Sequence, residues 1–535
     1  MKVDAPAMPR PAPEKESPPL SPDAQKTGSR FPRALPAIAA ALAGAGAVPA
    51  FAPLGWFPLA FVSLALLVAL LERAKSARAG FGLGLAWGLG AFGGGISWLY
   101  VVLERYGGMH PLLAALAVFL FCAYLALYPA MAGALYMRWR HGGALRRGLS
   151  FAAAWLLAEW LRGTLLTGFP WLSIGYAQTP PSPLAGYFAL AGVYGVGALT
   201  AFIAALAALC AGKSGEARRA ALPAAAAVAL VLAGGWGLAR HAWVEPDGEP
   251  LSVSLLQPNI APSLKWNPAH FAELLRINAD LVRAARGDVV VLPETALPSP
   301  LDWLPEGYID TLAGFVGERG GALITGAFVR EDGHYRNAAI TLGTGGGQRY
   351  AKRHLVPFGE YSPPLFGWFY RLINLPMSQQ IPGAREQAPF LLHGRRIALN
   401  ICYEDVFGAE LISSLPQAGL MLNLSNLAWY GDSFAQPQHL QIARARALES
   451  GRPMLRSTNT GMTALVLPDG SVPAALPAFS RGILEIEIPA YRGSTPYARW
   501  GDALALVAAI AALSILALSR GPRIAMRFPR RHQDV

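Results

Sequence analysis

Arg396-Ile-Ala-Leu-Asn-Ile-Cys402-Tyr403-Glu404-Asp405 delivers one thiol to the end of an apolar, strand-like stretch, and two carboxylates follow at once. Two other runs have the same build. Val289-Val-Val-Leu-Pro-Glu294-Thr295 puts a carboxylate just past a strand, and Tyr350-Ala-Lys352-Arg353-His354-Leu-Val-Pro-Phe-Gly-Glu360-Tyr361 carries a lysine and a second carboxylate. Further short β-branched runs lie around them at Ser252–Leu256, Ala322–Ala327, Ala338–Leu342, Leu420–Leu424, Ala464–Leu467 and Ile483–Ile488. Helical stretches at Pro268–Ala285, Tyr308–Arg319 and Gln438–Glu449 separate several of these. Strands of about four to eight residues alternating with helices or hairpins predict a layered α/β or α+β domain around a buried sheet.

Outside this region the chain changes character. It is 53% hydrophobic and only 15% charged, too apolar for an ordinary soluble enzyme. Runs long enough to cross a bilayer, about 20 residues each, are read at 34–53, 55–71, 80–101, 111–137, 149–166, 187–211 and 220–239, with one more at 500–519. The expected organisation is a disordered, Pro-rich tail at 1–33, a seven-helix transmembrane domain at 34–240, the strand-rich domain at 241–498, a final helix at 499–520 and a basic tail at 521–535. A cleaved signal peptide is the competing reading of the first apolar run, but that run starts far from the N-terminus and similar helices follow it directly.

Lys and Arg counts orient these eight helices. The first tail, the loops near 73–78, 138–147 and 213–219, and the last tail hold 21 Lys and Arg against seven acids. The alternate loops hold almost none, only Arg105 and Arg162. Both termini are therefore expected in the cytoplasm and the strand-rich domain outside. The net charge of +12 is a topology signal and calls for no nucleic-acid partner. Gly88-Leu-Gly90-Ala-Phe-Gly93 matches the dinucleotide fingerprint, but inside an apolar span it predicts close helix packing.

With three cysteines no disulfide framework is expected, and Cys122 and Cys210 sit in apolar helices. For Cys402, a neighbouring carboxylate can serve as base and a lysine can stabilise the oxyanion that forms when a carbonyl is attacked. Glu294, Lys352 and Cys402 thus compose an acyl-transfer set, although spacing alone leaves a buried, inert thiol open. His354 has no metal-ligand spacing with another His or Cys, so no metal or other cofactor is expected. Glu159 and Arg162 read as an ion pair fixing a helix.

The settings of Glu294, Lys352 and Cys402 resemble the Glu-Lys-Cys triad of the nitrilase (carbon–nitrogen hydrolase) superfamily, an αββα sandwich. Within it the chain resembles the apolipoprotein N-acyltransferase family, in which that domain is inserted between the last two membrane helices. The resemblance covers nearly all of the chain after the first tail. It rests on Glu159-Trp-Leu-Arg-Gly163, Gly168-Phe-Pro-Trp171, Gln257-Pro-Asn-Ile260, Lys265-Trp266, Leu292-Pro-Glu294, Lys352 to Tyr361, Cys402-Tyr-Glu404, Asn423-Leu-Ser-Asn426, Ala428-Trp-Tyr-Gly-Asp-Ser433, Arg444-Ala-Arg446-Ala-Leu-Glu449 and Thr458-Asn-Thr-Gly461. Leu427 departs from it, where an acidic residue is expected.

The resemblance implies a polytopic membrane protein of eight helices in the bacterial cytoplasmic (inner) membrane, with the sandwich on the periplasmic side. It implies Cys402 as nucleophile and acyl carrier, Glu294 as general base and Lys352 as oxyanion stabiliser, supported by Trp266, Glu360, Tyr403 and Glu404. The acyl donor would be a membrane phospholipid and the acceptor a diacylglyceryl apolipoprotein. From the residues themselves, Pro363-Pro-Leu-Phe-Gly-Trp368-Phe369-Tyr-Arg-Leu-Ile-Asn-Leu-Pro376 is too apolar for an outward loop unless it meets lipid or substrate. Trp368 and Phe369 are expected to form a lipid-facing lid, with an extra core helix as the alternative. Trp171 and Trp429-Tyr430 suit either interfacial anchors or core packing. A membrane-tethered amidase would keep the same three residues and pass the acyl group to water, whereas a transporter would need internal charges and repeats that these helices lack.

Overall fold

The computed structural model describes residues 1, 34–212, 215–331, 333–363, 380–415 and 417–518. Apart from Met1, the tail expected at 1–33 lies outside the described residues, as do the tail at 521–535 and the lid residues Trp368 and Phe369.

Each of the eight apolar segments is helical: Leu35–Ala45, Pro58–Arg73, Ala77–Gly95, Pro111–Trp139, Ala144–Thr164, Phe188–Cys210, Gly215–Leu238 and Ala503–Leu518. Proline near the N-terminus of several of them starts the helix where an N–H would have no partner. Three stretches, Pro111–Trp139, Ala185–Cys210 and Gly215–Leu238, are long and apolar enough to cross a membrane. A fourth qualifies only if Ala77–Gly95 and Leu99–Tyr106, bent by 61° at their junction, count as one broken span. By length and composition, three or four helices among the described residues qualify as spans, fewer than the eight expected.

Small residues bring these helices together. A Cβ on Gly90 would lie 1.9 Å from the backbone oxygen of Ala41, and one on Gly44 1.9 Å from that of Trp87. The backbones of Leu35–Ala45 and Ala77–Gly95 therefore touch, and the glycine fingerprint serves packing. One end of the bundle gathers the basic loops. Arg147 reaches Glu72 at 2.5 Å and Glu216 at 3.8 Å, and Arg146 donates to the oxygen of Leu516 at 2.8 Å.

The strand-rich part forms two six-stranded sheets. The first has the order β12-β1-β2-β3-β4-β5, built from β1 (Val244–Gln257), β2 (Val289–Val291), β3 (Ala322–Glu331), β4 (His334–Gly343), β5 (Arg349–Ala351) and β12 (Gly482–Gly493). The second has the order β11-β10-β9-β8-β7-β6, from β6 (Phe390–Leu392), β7 (Arg395–Ile401), β8 (Leu420–Ser425), β9 (Met454–Thr458), β10 (Ala464–Val466) and β11 (Ala474–Ala475). Strand alternation builds the layers. Val289 and Val291 point into the space between the sheets with Ile397, Leu399, Leu422 and Leu424. Val290 points outward to the helices Phe271–Ala284 and Tyr308–Gly317. This is an αββα sandwich.

The outer layer of the second sheet is the helix Ala435–Ser450, buried on two sides. Leu440, Ala443 and Ala447 pack on the sheet with Ala398 and Met421, whereas Ala435, Ile442 and Ala445 pack into the core of the helical bundle. Polar side chains of this helix complete the junction. Gln438 accepts from the indoles of Trp98 (3.2 Å) and Trp171 (2.8 Å) and donates to the oxygen of Gly95 (3.1 Å), while Glu449 accepts from the amide of Val193 (2.8 Å).

Candidate active site

Cys402 leaves β7 with φ +52° and opens a short helical turn, Cys402–Val406. A non-glycine residue in this left-handed region costs about 1–3 kcal/mol and persists only where its surroundings fix it. Glu404 does the fixing. One of its oxygens accepts from the amide of Ile401 at 2.6 Å, and the other from the amides of Arg353 at 2.8 Å and His354 at 3.2 Å. The hydroxyl of Tyr350 adds a further bond at 3.0 Å. Because Arg353 follows Lys352, this buried carboxylate ties the cysteine turn to the lysine segment.

Lys352 ends its strand segment between two acids, with Nζ 2.7 Å from Glu360 and 3.2 Å from Glu294. Burial pushes Lys352 down, but the two carboxylates outweigh it and hold the ammonium well above its ordinary range. Glu294 stands at the end of β2. It also accepts from the side-chain amide of Asn337 at 2.7 Å and from the backbone N–H of Asn426 at 2.9 Å. Glu360 is fixed by the amide of Val356 at 2.8 Å. Burial and the charge of Glu294 push the Cys402 thiol well up, while Lys352 and the N–H of Asn426 pull it down. The resting group is a thiol, so its proton has to leave as the sulfur attacks.

These residues line one cavity of about 770 Å³, open space included, together with Trp266, Thr295, Phe328, Trp429 and Tyr430. The helical bundle contributes Val102 to its wall. Tyr106 meets Trp429 edge-on at 5.7 Å, and Trp98 meets Tyr430 at 4.7 Å, so aromatic rings seal the seam between the two parts. A thiol, a carboxylate and an ammonium in a partly enclosed, apolar-walled space can carry an acyl group and restrict water at it.

A second buried cluster lies behind the cysteine turn. Asp405 approaches Arg456 at 2.7 Å and His439 at 2.6 Å, and Arg456 reaches the other ring nitrogen of His439 at 2.7 Å. The His439 ring stacks on Trp171, with centroids 5.5 Å apart. Trp171 belongs to a loop that Arg162 folds by donating to the oxygens of Phe169 (2.5 Å) and Trp171 (2.7 Å). Glu159, 3.8 Å from Arg162, holds the amide of Ile174. The ion pair fixes the end of its helix and the loop beyond, and Trp171 is core.

Residues 43–206 match the family described as Apolipoprotein N-acyltransferase N-terminal domain, and residues 252–497 the one described as Carbon-nitrogen hydrolase. Among solved structures, a CN-hydrolase superfamily protein from Xanthomonas campestris aligns with 50% of this chain and 97% of its own, at 19% identity and a TM-score of 0.36. An apolipoprotein N-acyltransferase of Nitrosomonas europaea is 43% identical over 485 residues, 90% of this chain and 96% of its own. Proteins of the same name from Ralstonia nicotianae and Chromobacterium violaceum are 45% and 44% identical, covering 94% and 91% of this chain and 98% and 94% of theirs.

The chain belongs to the apolipoprotein N-acyltransferase family.

Of the residues that the sequence nominated for this apolipoprotein N-acyltransferase site, Glu294, Lys352, Cys402, Trp266 and Glu360 line the cavity. Tyr403 and Glu404 do not. Glu404 is consumed by backbone donors, and Tyr403 points into the helical bundle, where its hydroxyl donates to the oxygen of Gly168. Asn337 was not nominated, yet it holds Glu294 and reaches Glu360 at 3.5 Å. It sits mid-strand in β4, in Arg-Asn-Ala-Ala, with no sequence sign of a partner.

Proposed function

We propose that this chain moves a fatty acyl group from a membrane phospholipid to the α-amine of the S-diacylglyceryl-cysteine that begins an apolipoprotein. The observation that carries this reading is the shared cavity of Cys402, Glu294 and Lys352, walled by Val102 on one side and by Trp429 and Tyr430 on another. A water-soluble amidase has no need of a wall from an apolar helix.

In the first half-reaction Glu294 takes the proton of Cys402 as its sulfur attacks the ester carbonyl of the phospholipid. Lys352 meets the developing oxyanion, the C–O bond breaks, and the lysophospholipid oxygen leaves with the proton from Glu294. In the second, the amine attacks the thioester and the cysteine sulfur leaves. Glu360 keeps Lys352 charged and in place, and Trp266 covers the cavity.

The eight helical segments are taken to cross or line the membrane, with the basic end of the bundle in the cytoplasm and the sandwich in the periplasm. The meeting of Glu72, Arg140, Arg147 and Glu216 at one end supports this orientation. Intact mass spectrometry of Cys402 in native membranes tests the reaction. A phospholipid-derived acyl thioester, absent from Cys402→Ala, is the expected result. A small-amide adduct or an unmodified cysteine overturns it.

A further inference from the structure

The second half-reaction has more protons to move than the first. An α-amine has a pKa of about 7.7–8.0, so much of it arrives as ammonium and has to lose a proton before it can attack. Once the C–N bond forms, the nitrogen sheds another. Glu294 already accepts from Lys352, Asn337 and Asn426, and the one proton it carries has to go on to the leaving sulfur.

Lys265 stands where a second acceptor is needed. It is 5% exposed and precedes Trp266, which lines the cavity. Its Nζ donates to Thr295 Oγ1 at 2.5 Å and sits 5.7 Å from the ring centre of Trp266. The charged group that acts on it is Glu294, through space. An ammonium buried with a hydroxyl for company is costly, and burial pushes Lys265 down to about 7, with Glu294 pulling the other way. Lysine near that value exchanges protons readily at neutral pH.

Thr295 is the link to the cavity. It follows Glu294, lines the same space as Cys402, and holds φ +46°, a strained conformation for a β-branched residue. A hydroxyl both donates and accepts, so it can pass a proton from one neighbour to the other.

We propose that Lys265, acting through the Thr295 hydroxyl, takes the proton of the incoming α-ammonium in the second half-reaction; this rests on the acyl-transfer reading above. The Thr295 hydroxyl gives its proton to Nζ of neutral Lys265 and receives one from the ammonium. The freed amine nitrogen attacks the thioester carbon, the C–N bond forms and the C–S bond breaks. Glu294 takes the second proton from that nitrogen and hands it to the sulfur of Cys402. The products are the amide, the free thiol and a Lys265 ammonium, which later returns its proton to solvent through the open cavity. Lys265 is a positioning and relay group, and Thr295 is the one that meets the substrate.

The test uses the full chain in nanodiscs of phosphatidylethanolamine and phosphatidylglycerol, with the half-reactions measured apart. Acyl-Cys402 is followed by intact mass, and single-turnover transfer to a synthetic diacylglyceryl-cysteinyl peptide is followed between about pH 6 and 9. Lys265→Met and Thr295→Val are expected to form acyl-Cys402 nearly as wild type, yet to transfer on the order of 10²-fold more slowly near pH 7. Their transfer should recover toward alkaline pH, where the amine arrives already neutral. Lys265→Arg, which keeps the charge but cannot give up its proton, should not restore transfer. Equal loss in both half-reactions, rescue by Arg, or wild-type transfer in Lys265→Met overturns the relay while leaving acyl transfer intact. Should Lys265→Met fail to fold, the near-isosteric Thr295→Val decides. Wild-type protein that never forms acyl-Cys402 overturns the underlying reading instead, and the relay with it.

Discussion

The hydroxyl of Tyr403 donates to the backbone oxygen of Gly168 at 3.0 Å, so the residue after Cys402 is anchored in the helical bundle. Its ring lies 6.5 Å from Phe169 of that bundle and edge-on to Phe407 of its own turn at 5.1 Å. Tyr403→Phe keeps the ring and removes the bond. Leaving a buried carbonyl without its donor costs about 1–3 kcal/mol. The variant should melt a few degrees lower and acylate Cys402 more slowly, because the turn is no longer pinned. Wild-type melting and acylation together would show that the anchor is dispensable.

Glu360→Gln removes one of the two charges that hold Lys352 protonated while keeping the side chain's shape. Burial then weighs more heavily against the ammonium, so the pKa of Lys352 falls. The alkaline loss of acylation should move to lower pH in the variant. Rates of acyl-Cys402 formation from about pH 7 to 11 measure this directly, and an unmoved alkaline limb would remove Glu360 from that role.

Asp405→Asn strips the buried charge facing Arg456 and His439. Both Arg456 and Asp405 are essentially inaccessible, and breaking a buried pair from one side costs about 3–5 kcal/mol. Glu245→Gln breaks an ion pair of similar length, 2.6 Å to Arg492, but with both partners more than 60% exposed. Chemical denaturation should show a large loss for the first and almost none for the second. Similar midpoints for the two variants would refute a structural role for the buried cluster.

Gly90→Ala places a methyl group against the oxygen of Ala41, whereas Gly93→Ala points into open space. The first should separate two helices and lower the thermal midpoint in detergent. The second should be neutral, or slightly stabilising through helix propensity. Equal behaviour of the pair would mean that these two helices are held by other contacts.

The strands that carry the site were readable because they are mostly apolar between turn residues, as in Val289–Val291, Arg395–Ile401 and Leu420–Ser425. β9 was not, because Arg456, Ser457 and Thr458 look like surface. Arg456 pairs with Asp405, the Ser457 hydroxyl donates to the oxygens of Leu256 and Val291, and that of Thr458 meets Gln257, all distant in sequence. The run 80–101 read as one span, but the chain bends sharply between Gly95 and Leu99. A hydropathy window averages over such a break. Tyr403 and Glu404 share a motif with Cys402, but a motif does not say which way a side chain faces on a tight turn. The same limit hid Asn337, whose value comes wholly from what the fold sets opposite it.

The helix Ala435–Ser450 belongs to two structures at once, since one of its faces completes the sandwich and the other completes the helical bundle. The two parts are therefore not modular. Severing the chain near Arg240 to obtain a free-standing enzyme would strand Gln438 and Glu449 without the backbone and indole groups that complement them, and would bare Ile442 and Ala445 beside them. Any attempt to engineer a detached version has to redesign that face first.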